Sequence, residues 1–400
     1  MQNNQKIPEG WSVKKISDLG SVVSGGTPDT NNPEYWDGDV LWVTPSEVSN
    51  LSNRFLYSTE RKITEKGLKE SSAKLLPINS LIICTRATIG DCCINKVPMC
   101  TNQGFKNIIV KNNNVDFLYY LITKNKNELI RKACGSTFLE ISKKDIDNLK
   151  FAIPPLPEQE KIAGILGTWD EAIEKLSSLI EQKKLLKKGL MQRLLTGKTR
   201  LPTFTQPWKE VKLGKVCKLE TTTSKSAFID ENGKYYIIDM GAVSTEGTLI
   251  SSKRTNACED LLKINDIVMP KDDIGGGNII GKTAIIKQEN TYVLSDHVFK
   301  LKIHDSDAMF ISYLINSFKY NKYMRRMSSG SAILGLAKKD IEKCMLYIPS
   351  DTNEQQAIAD VLSTADDEIN LLNQKLEALK EQKKGLMQQL LTGQIRVKVN

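Results

Sequence analysis

Residues 187–197 read KKGLMQRLLTG, and residues 383–393 read KKGLMQQLLTG. Extended backwards, the match aligns residues 158–201 with 354–397 at a constant offset of 196, without a gap, and 22 of the 44 positions are identical. Stepping along the first copy in alternating fours and threes meets Ile162, Leu166, Trp169, Ile173, Leu176, Ile180, Lys183, Lys187, Leu190 and Leu194. The second copy gives Ile358, Leu362, Ala365, Ile369, Leu372, Leu376, Leu379, Lys383, Leu386 and Leu390. An average apolar period of 3.5 residues is a coiled-coil seam, which must be covered by another helix. Two seams of equal length are expected to cover each other, over about 48 Å at 1.5 Å per residue. Pro157 suits a first helical turn, Asn353 with Gln356 reads as a capping pair, and Gly197 and Gly393 read as C-terminal stops. Lys183, Lys184, Lys187, Lys188, Lys380, Lys383 and Lys384 read as solvated flanks.

The segments ahead of each helix also correspond. WSVKKI at 11–16 matches WKEVKL at 208–213, INSLIICTR at 78–86 matches INDIVMPKD at 264–272, and KKDI at 143–146 returns at 338–341. Landmark offsets vary by several residues, as loops of different length require. The chain therefore reads as an internal duplication of the α+β class: two globular units separated by two long helices that pair with each other as a coiled coil; if that pairing is antiparallel, the second helix returns toward the first unit and the duplication has pseudo-two-fold symmetry. The expected boundaries are 1–155 and 200–350 for the globular units, with helical spacers at 156–199 and 351–400. Within each unit, β-rich runs such as VLWVT, SLIICT and NIIV precede one helix near 115–132 or 308–327.

The chain has 400 residues and a net charge of +9, which fits a polyanionic partner. The opening MQNNQKIPEG has no apolar signal region, and no apolar run reaches the ~18 residues of a membrane span, so a cytoplasmic protein is expected. Eight cysteines include no CxxC pair, and only two histidines accompany them, which reads as reduced thiols and not a zinc site.

Two motifs invite other readings. GGNIIGKT at 276–283 satisfies the P-loop pattern, but AIIKQENTYVL behind it is strand-like, where a phosphate loop needs a helix N-terminus. A glycine-rich turn is expected there. NPEY at 32–35 is similar to the NPPY-type loop of amino-methyltransferases, yet lacks the second proline and any glycine-rich cofactor loop.

PPLPEQEKIAGIL at 154–166, followed by a helix ending in GLMQRLLTG, closely resembles the specificity subunit of type I restriction–modification enzymes, as does WSVKKISDLGSVVSGGTP at 11–28. The resemblance spans essentially the whole chain. The second copy departs from it, with PSDTNEQQ in place of PPLPEQE. It implies a non-catalytic subunit in which two target-recognition domains each read half of a bipartite, asymmetric sequence in double-stranded DNA. It also implies that the two helices pair as an antiparallel coiled coil, set the spacing and dock two methyltransferase subunits, with restriction (motor) subunits joining the complex and no membrane involved. No cofactor belongs to this chain; S-adenosylmethionine, ATP and magnesium serve the partners. A protein-binding coiled-coil adaptor and a P-loop ATPase are the alternatives.

Base edges call for bidentate donors, and phosphates for cations, hydroxyls and backbone N–H groups. On that basis the candidate DNA-binding residues of the first unit are Ser24, Gly25, Gly26, Thr27, Thr44, Ser46, Arg86, Thr88, Asn102, Gln103, Ser136 and Thr137. Those of the second are Lys225, Asp239, Lys271, Asp272, His297, Ser329 and Ser331.

Overall fold

The computed structural model describes residues 7–133, 139–331 and 333–399. The chain divides into two compact units, residues 1–179 with 372–400, and residues 180–371. Each long helix, Leu156–Leu194 and Thr352–Leu390, contributes one part to each unit.

In the first unit a five-stranded sheet runs in the order Gly20–Ser24, Phe105–Val110, Leu81–Cys84, Cys92–Asn95, Phe55–Leu56. A second sheet has Trp36–Val43 at its centre, antiparallel to Arg61–Ile63 and parallel to Cys100–Thr101. The second unit repeats the first four places of this order, in a four-stranded sheet of Cys217–Glu220, Val298–Ile303, Ile267–Pro270 and Ala284–Ile285. Its smaller sheet likewise has Tyr235–Ile238 antiparallel to Arg254–Thr255 and parallel to Tyr292–Leu294. The duplication read from faint sequence matches is thus a duplication of strand order. Each single helix expected near 115–132 or 308–327 is two helices, Val115–Lys124 with Lys126–Lys132 and Ala308–Asn316 with Phe318–Met327. The breaks have a local cause: Asn125 Nδ2 donates to Leu121 O and Ser317 Oγ to Leu314 O, so polar side chains compete for helix carbonyls.

The seams are covered as their period requires. Ile162, Leu166, Leu176, Ile180 and Leu194 are buried on the first long helix, and Ile358, Leu362, Ile369, Leu376 and Leu390 on the second. Within the first unit Glu158 meets Arg396 and Asp170 meets Lys383, so residue numbers rise on one helix while they fall on the other. The halves are antiparallel there. In the second unit Glu354 meets Arg200 and Asp366 meets Lys187, the same pairs displaced by 196 with the roles of the helices exchanged.

These pairs explain why eleven residues are written twice. Glu158, 3% exposed, accepts from Trp11 Nε1 at 3.1 Å and from Arg396 Nε and Nη2 at 2.8 and 2.9 Å. Glu354, 0% exposed, accepts from Trp208 at 3.3 Å and from Arg200 at 2.9 and 2.6 Å. The neighbouring glutamines bind backbone alike: Gln159 takes the Asn114 N–H and donates to Pro154 O, and Gln355 takes the Asp307 N–H and donates to Pro349 O. The diverged PSDTNEQQ therefore makes the anchor that PPLPEQE makes. Further along, Asp170 accepts from Tyr120 Oη at 2.5 Å and from Lys383, while Asp366 accepts from Tyr313 Oη at 2.6 Å and from Lys187. Burial and the facing aspartate push both tyrosine hydroxyls up.

The end of each long helix enters the same core as the start of the other. Leu390 and Leu391 pack with Ile162, Leu166 and Phe117, and Leu194 and Leu195 pack with Ile358, Leu362 and Phe310. Gly197 and Gly393 then turn the chain at φ 68° and 69°, where a β-carbon would lie 3.4 Å from the Trp208 and Trp11 rings. Each copy of the repeat fills an equivalent socket.

Three expectations need correction. Lys187 and Lys383 are not solvated flanks: they are 19% and 17% exposed and are paired with Asp366 and Asp170. Lys183 also pairs across the helices, with Glu368 at 2.6 Å. The second long helix is capped by Asp351, whose carboxylate accepts the Asn353 N–H at 2.9 Å, and not by an Asn353–Gln356 pair.

Candidate DNA-recognition faces

The first unit's candidates gather where strand ends meet loops. The chain leaves Ser24 beside Lys106 and enters Gly25 and Gly26, whose N–H groups donate to Phe105 O and Thr101 O. A β-carbon on Gly25 would fall 1.8 Å from Asn102 O, so glycine is required by close backbone approach. These two N–H groups are already bonded and are not free phosphate donors. Thr27 donates to Gln103, Thr44 caps the helix Pro45–Ser49 in a reciprocal pair with Glu47, and Thr44 Oγ1 lies 3.1 Å from Ser46 Oγ. Ser49 links this helix to Thr88 at 3.0 Å. Asn102 Oδ1 accepts the Gly104 N–H at 2.8 Å, and Gly104 lies against Pro45 and Arg86. So Ser24–Thr27, Thr44, Ser46, Arg86, Thr88, Asn102 and Gln103 share one loop cluster. Ser136 and Thr137 lie outside the described residues.

Glu140 was missing from the sequence reading. Its carboxylate holds Arg86 Nη2 at 2.6 Å and Lys106 Nζ at 3.4 Å. Burial opposes its charge, but Arg86 and Lys106 more than offset that and hold the carboxyl below its ordinary value. A groove of about 970 Å³ runs beside the pair, lined also by Ile130, Leu139 and the Lys126–Asp91 ion pair. Nothing local in the sequence ties Glu140 to Arg86, 54 residues away.

In the second unit Lys271 N–H donates to His297 O at 2.9 Å, and Asp272 Oδ2 lies 2.6 Å from His297 Nδ1. Asp272 pairs along the backbone with Gly335, which exchanges hydrogen bonds with Ser329; Ser331 is exposed two residues on. Lys271, Asp272, His297 and Ser329 form one cluster, which Ser331 adjoins along the chain. Lys225 and Asp239 are engaged separately. Lys225 is 2% exposed and donates to Asp260 at 2.9 Å, while Asp239 pairs with Lys253. A lysine so buried does not reach a phosphate.

The GKT run is a turn, as its strand-like sequel implied. Asp273, 3% exposed, accepts the Gly275 N–H at 2.5 Å and the Ile279 N–H at 2.9 Å, so the protein's own carboxylate occupies the place of an anion. Thr283 is buried against Ser312, and the strand Ala284–Ile285 follows. Lys282→Ala is therefore expected to leave the isolated chain without ATP binding, as before, and DNA modification by the assembled complex unchanged. Equilibrium nucleotide binding and modified-base sequencing check this; ATP binding abolished by the substitution would contradict it. Asn32 of NPEY caps the 3-10 turn Pro33–Tyr35, accepting the Glu34 N–H. Burial pushes the Cys84, Cys100, Cys217 and Cys344 thiols up to about 12, which makes them poor nucleophiles. Among the described residues no group of His, Cys, Asp and Glu is arranged to hold a metal, and no helix is long and apolar enough to cross a membrane.

Two α+β units of one topology, each anchored to both long helices and each bearing a polar loop cluster, define a duplicated recognition protein. The chain belongs to the type I restriction modification DNA specificity domain family, whose model matches residues 8–182 and again 205–381. It is 26% identical over 416 residues to the type I restriction enzyme MjaVIII specificity subunit of Methanocaldococcus jannaschii, a match covering 98% of this chain and 95% of that protein. It is 42% identical over 172 residues to the MjaIX specificity subunit of the same organism, spanning 42% of this chain and 40% of that relative. The type I restriction-modification S subunit from M. genitalium has the same fold, with a TM-score of 0.63 at 17% identity over 98% of both chains.

Proposed function

We infer that this chain is the non-catalytic, sequence-specific DNA-binding subunit of a type I restriction–modification complex. The two family-domain matches, one in each unit, carry this reading. Residues 1–155 and 200–350 are the two target-recognition domains, each reading half of a bipartite site. The half-sites differ because the loop clusters differ: Arg86 and Glu140 in one, Asp272 and His297 in the other. Residues 156–199 and 351–400 are the spacers, an antiparallel pair that sets the interval and docks two methyltransferase subunits, with restriction subunits joining them. The exchanged Asp170–Lys383 and Asp366–Lys187 pairs support equivalent antiparallel helix contacts within each unit. S-adenosylmethionine, ATP and magnesium then act on the partner subunits, and the complex works in the cytoplasm.

Replacing residues 1–155 by the first unit of a relative with another specificity tests this directly. The expected product methylates a site changed in one half only, read by sequencing modified bases in cells carrying the partner subunits. A change in both halves would argue against two independent readers. If the wild-type complex bound no duplex specifically, the adaptor reading would replace it.

A further inference from the structure

Hydrogen bonding makes one position equivalent in the two units. Thr85 N–H donates to Gly104 O and Thr85 O accepts from Ile141; Lys271 N–H donates to His297 O and Lys271 O accepts from Leu336. The next residue along is Arg86 in the first unit and Asp272 in the second, so a cation and an anion stand at one place in the fold. Each is held by a side chain from another segment. Arg86 is held by Glu140, and Asp272 by His297, which occupies the position of Gly104. Gly335, at the position of Glu140, has no side chain, and a β-carbon there would lie 3.3 Å from Asp272 Oδ1. Both sites also hold a non-glycine residue in the left-handed region, Ala87 at φ 53° and His297 at φ 64°, a conformation that persists only where its surroundings enforce it.

Resting on the DNA-recognition reading above, we propose that this position reads a base edge in each unit: Arg86 a guanine, and Asp272 the exocyclic amino group of a cytosine or adenine. The chemistry selects bases over phosphates. A carboxylate is repelled by phosphate, and the groups it can accept from on a duplex are base amino groups. Glu140, 2.6 Å from Arg86 and shared with Lys106 at 3.4 Å, holds the guanidinium in place and orients it for bidentate donation to guanine O6 and N7. Arg86 is 43% exposed and Asp272 21%, so each reaches solvent while remaining held. Glu140 and His297 are positioning residues.

The test uses the full chain assembled with its methyltransferase subunits, with modified-base sequencing as the readout. Arg86→Gln is expected to lower the preference for guanine at one position of one half-site by about ten-fold or more, in favour of adenine, which glutamine pairs with through N6 and N7. Asp272→Ala is expected to relax one position of the other half-site and leave the first unchanged. A uniform loss of binding on every sequence, with preferences intact, would mark a phosphate contact and overturn the proposal. So would unaltered preferences at full activity. If Arg86→Gln fails to assemble, Glu140→Gln keeps Arg86 and the local shape; it must still weaken discrimination at that same single position, or the proposal falls. Absence of any sequence preference in the wild-type complex would instead refute the DNA-recognition reading itself.

Discussion

Glu354→Ala is expected to destabilise the second unit by about 2–3 kcal/mol, and Glu158→Ala the first unit by the same amount. Each substitution removes a fully or almost fully buried carboxylate that joins an arginine through two nitrogens to a tryptophan N–H. Arg200 and Arg396 are 27% and 43% exposed and regain some water, which keeps the loss below that of a fully buried charge left alone. At about 2–4 °C per kcal/mol for units of this size, calorimetry should show melting lowered by roughly 5–10 °C. Glu→Gln, which keeps an acceptor for the tryptophan, should lose less. A shift no larger than that of an ordinary surface substitution, about 0.5 kcal/mol, would show that the clamp is not what ties the helices to the units.

Inserting one heptad into each long helix, near Ile180 and near Leu376, should abolish modification of the original site. Seven residues keep the seam in register and add about 10 Å at 1.5 Å per residue. If the helix pair sets the interval between half-sites, that length corresponds to roughly three base pairs at about 3.4 Å each. Three pairs also turn the duplex by about 100°, taking 10–10.5 pairs per turn. Either a site with a longer spacer is modified, or binding is lost because one reader faces the wrong side. Modified-base sequencing separates the two outcomes. Continued methylation of the original site, with its spacer unchanged, would show that the helices do not set the distance.

Features set by short-range interactions are legible in the sequence, and those set by long-range ones are not. Helix period and helix ends are local, so the seam from Ile162 to Leu194 could be stepped off residue by residue, and the glycines at 197 and 393 marked where it stops. The GKT run was likewise decided by the strand-forming residues next to it. The loop cluster of the first unit was legible in outline, because glycine, threonine and asparagine runs have few uses besides turns and polar contacts.

Partnership was not legible, because a partner lies at any distance along the chain. Lys187 looked solvated until Asp366, 179 residues away, came beside it. Lys225 looked like a phosphate ligand until folding placed it against Asp260 and sealed it from water. By itself the sequence determined the two long helices and their seams, which are written in spacings of a few residues, and the duplication, which is written as a repeated segment at a constant offset of 196. Tertiary structure alone decided which charges are paired within the protein and which are left to meet a ligand. A charge is silenced by what folding brings within about 4 Å of it, and for partners as distant in sequence as these no local spacing encodes that.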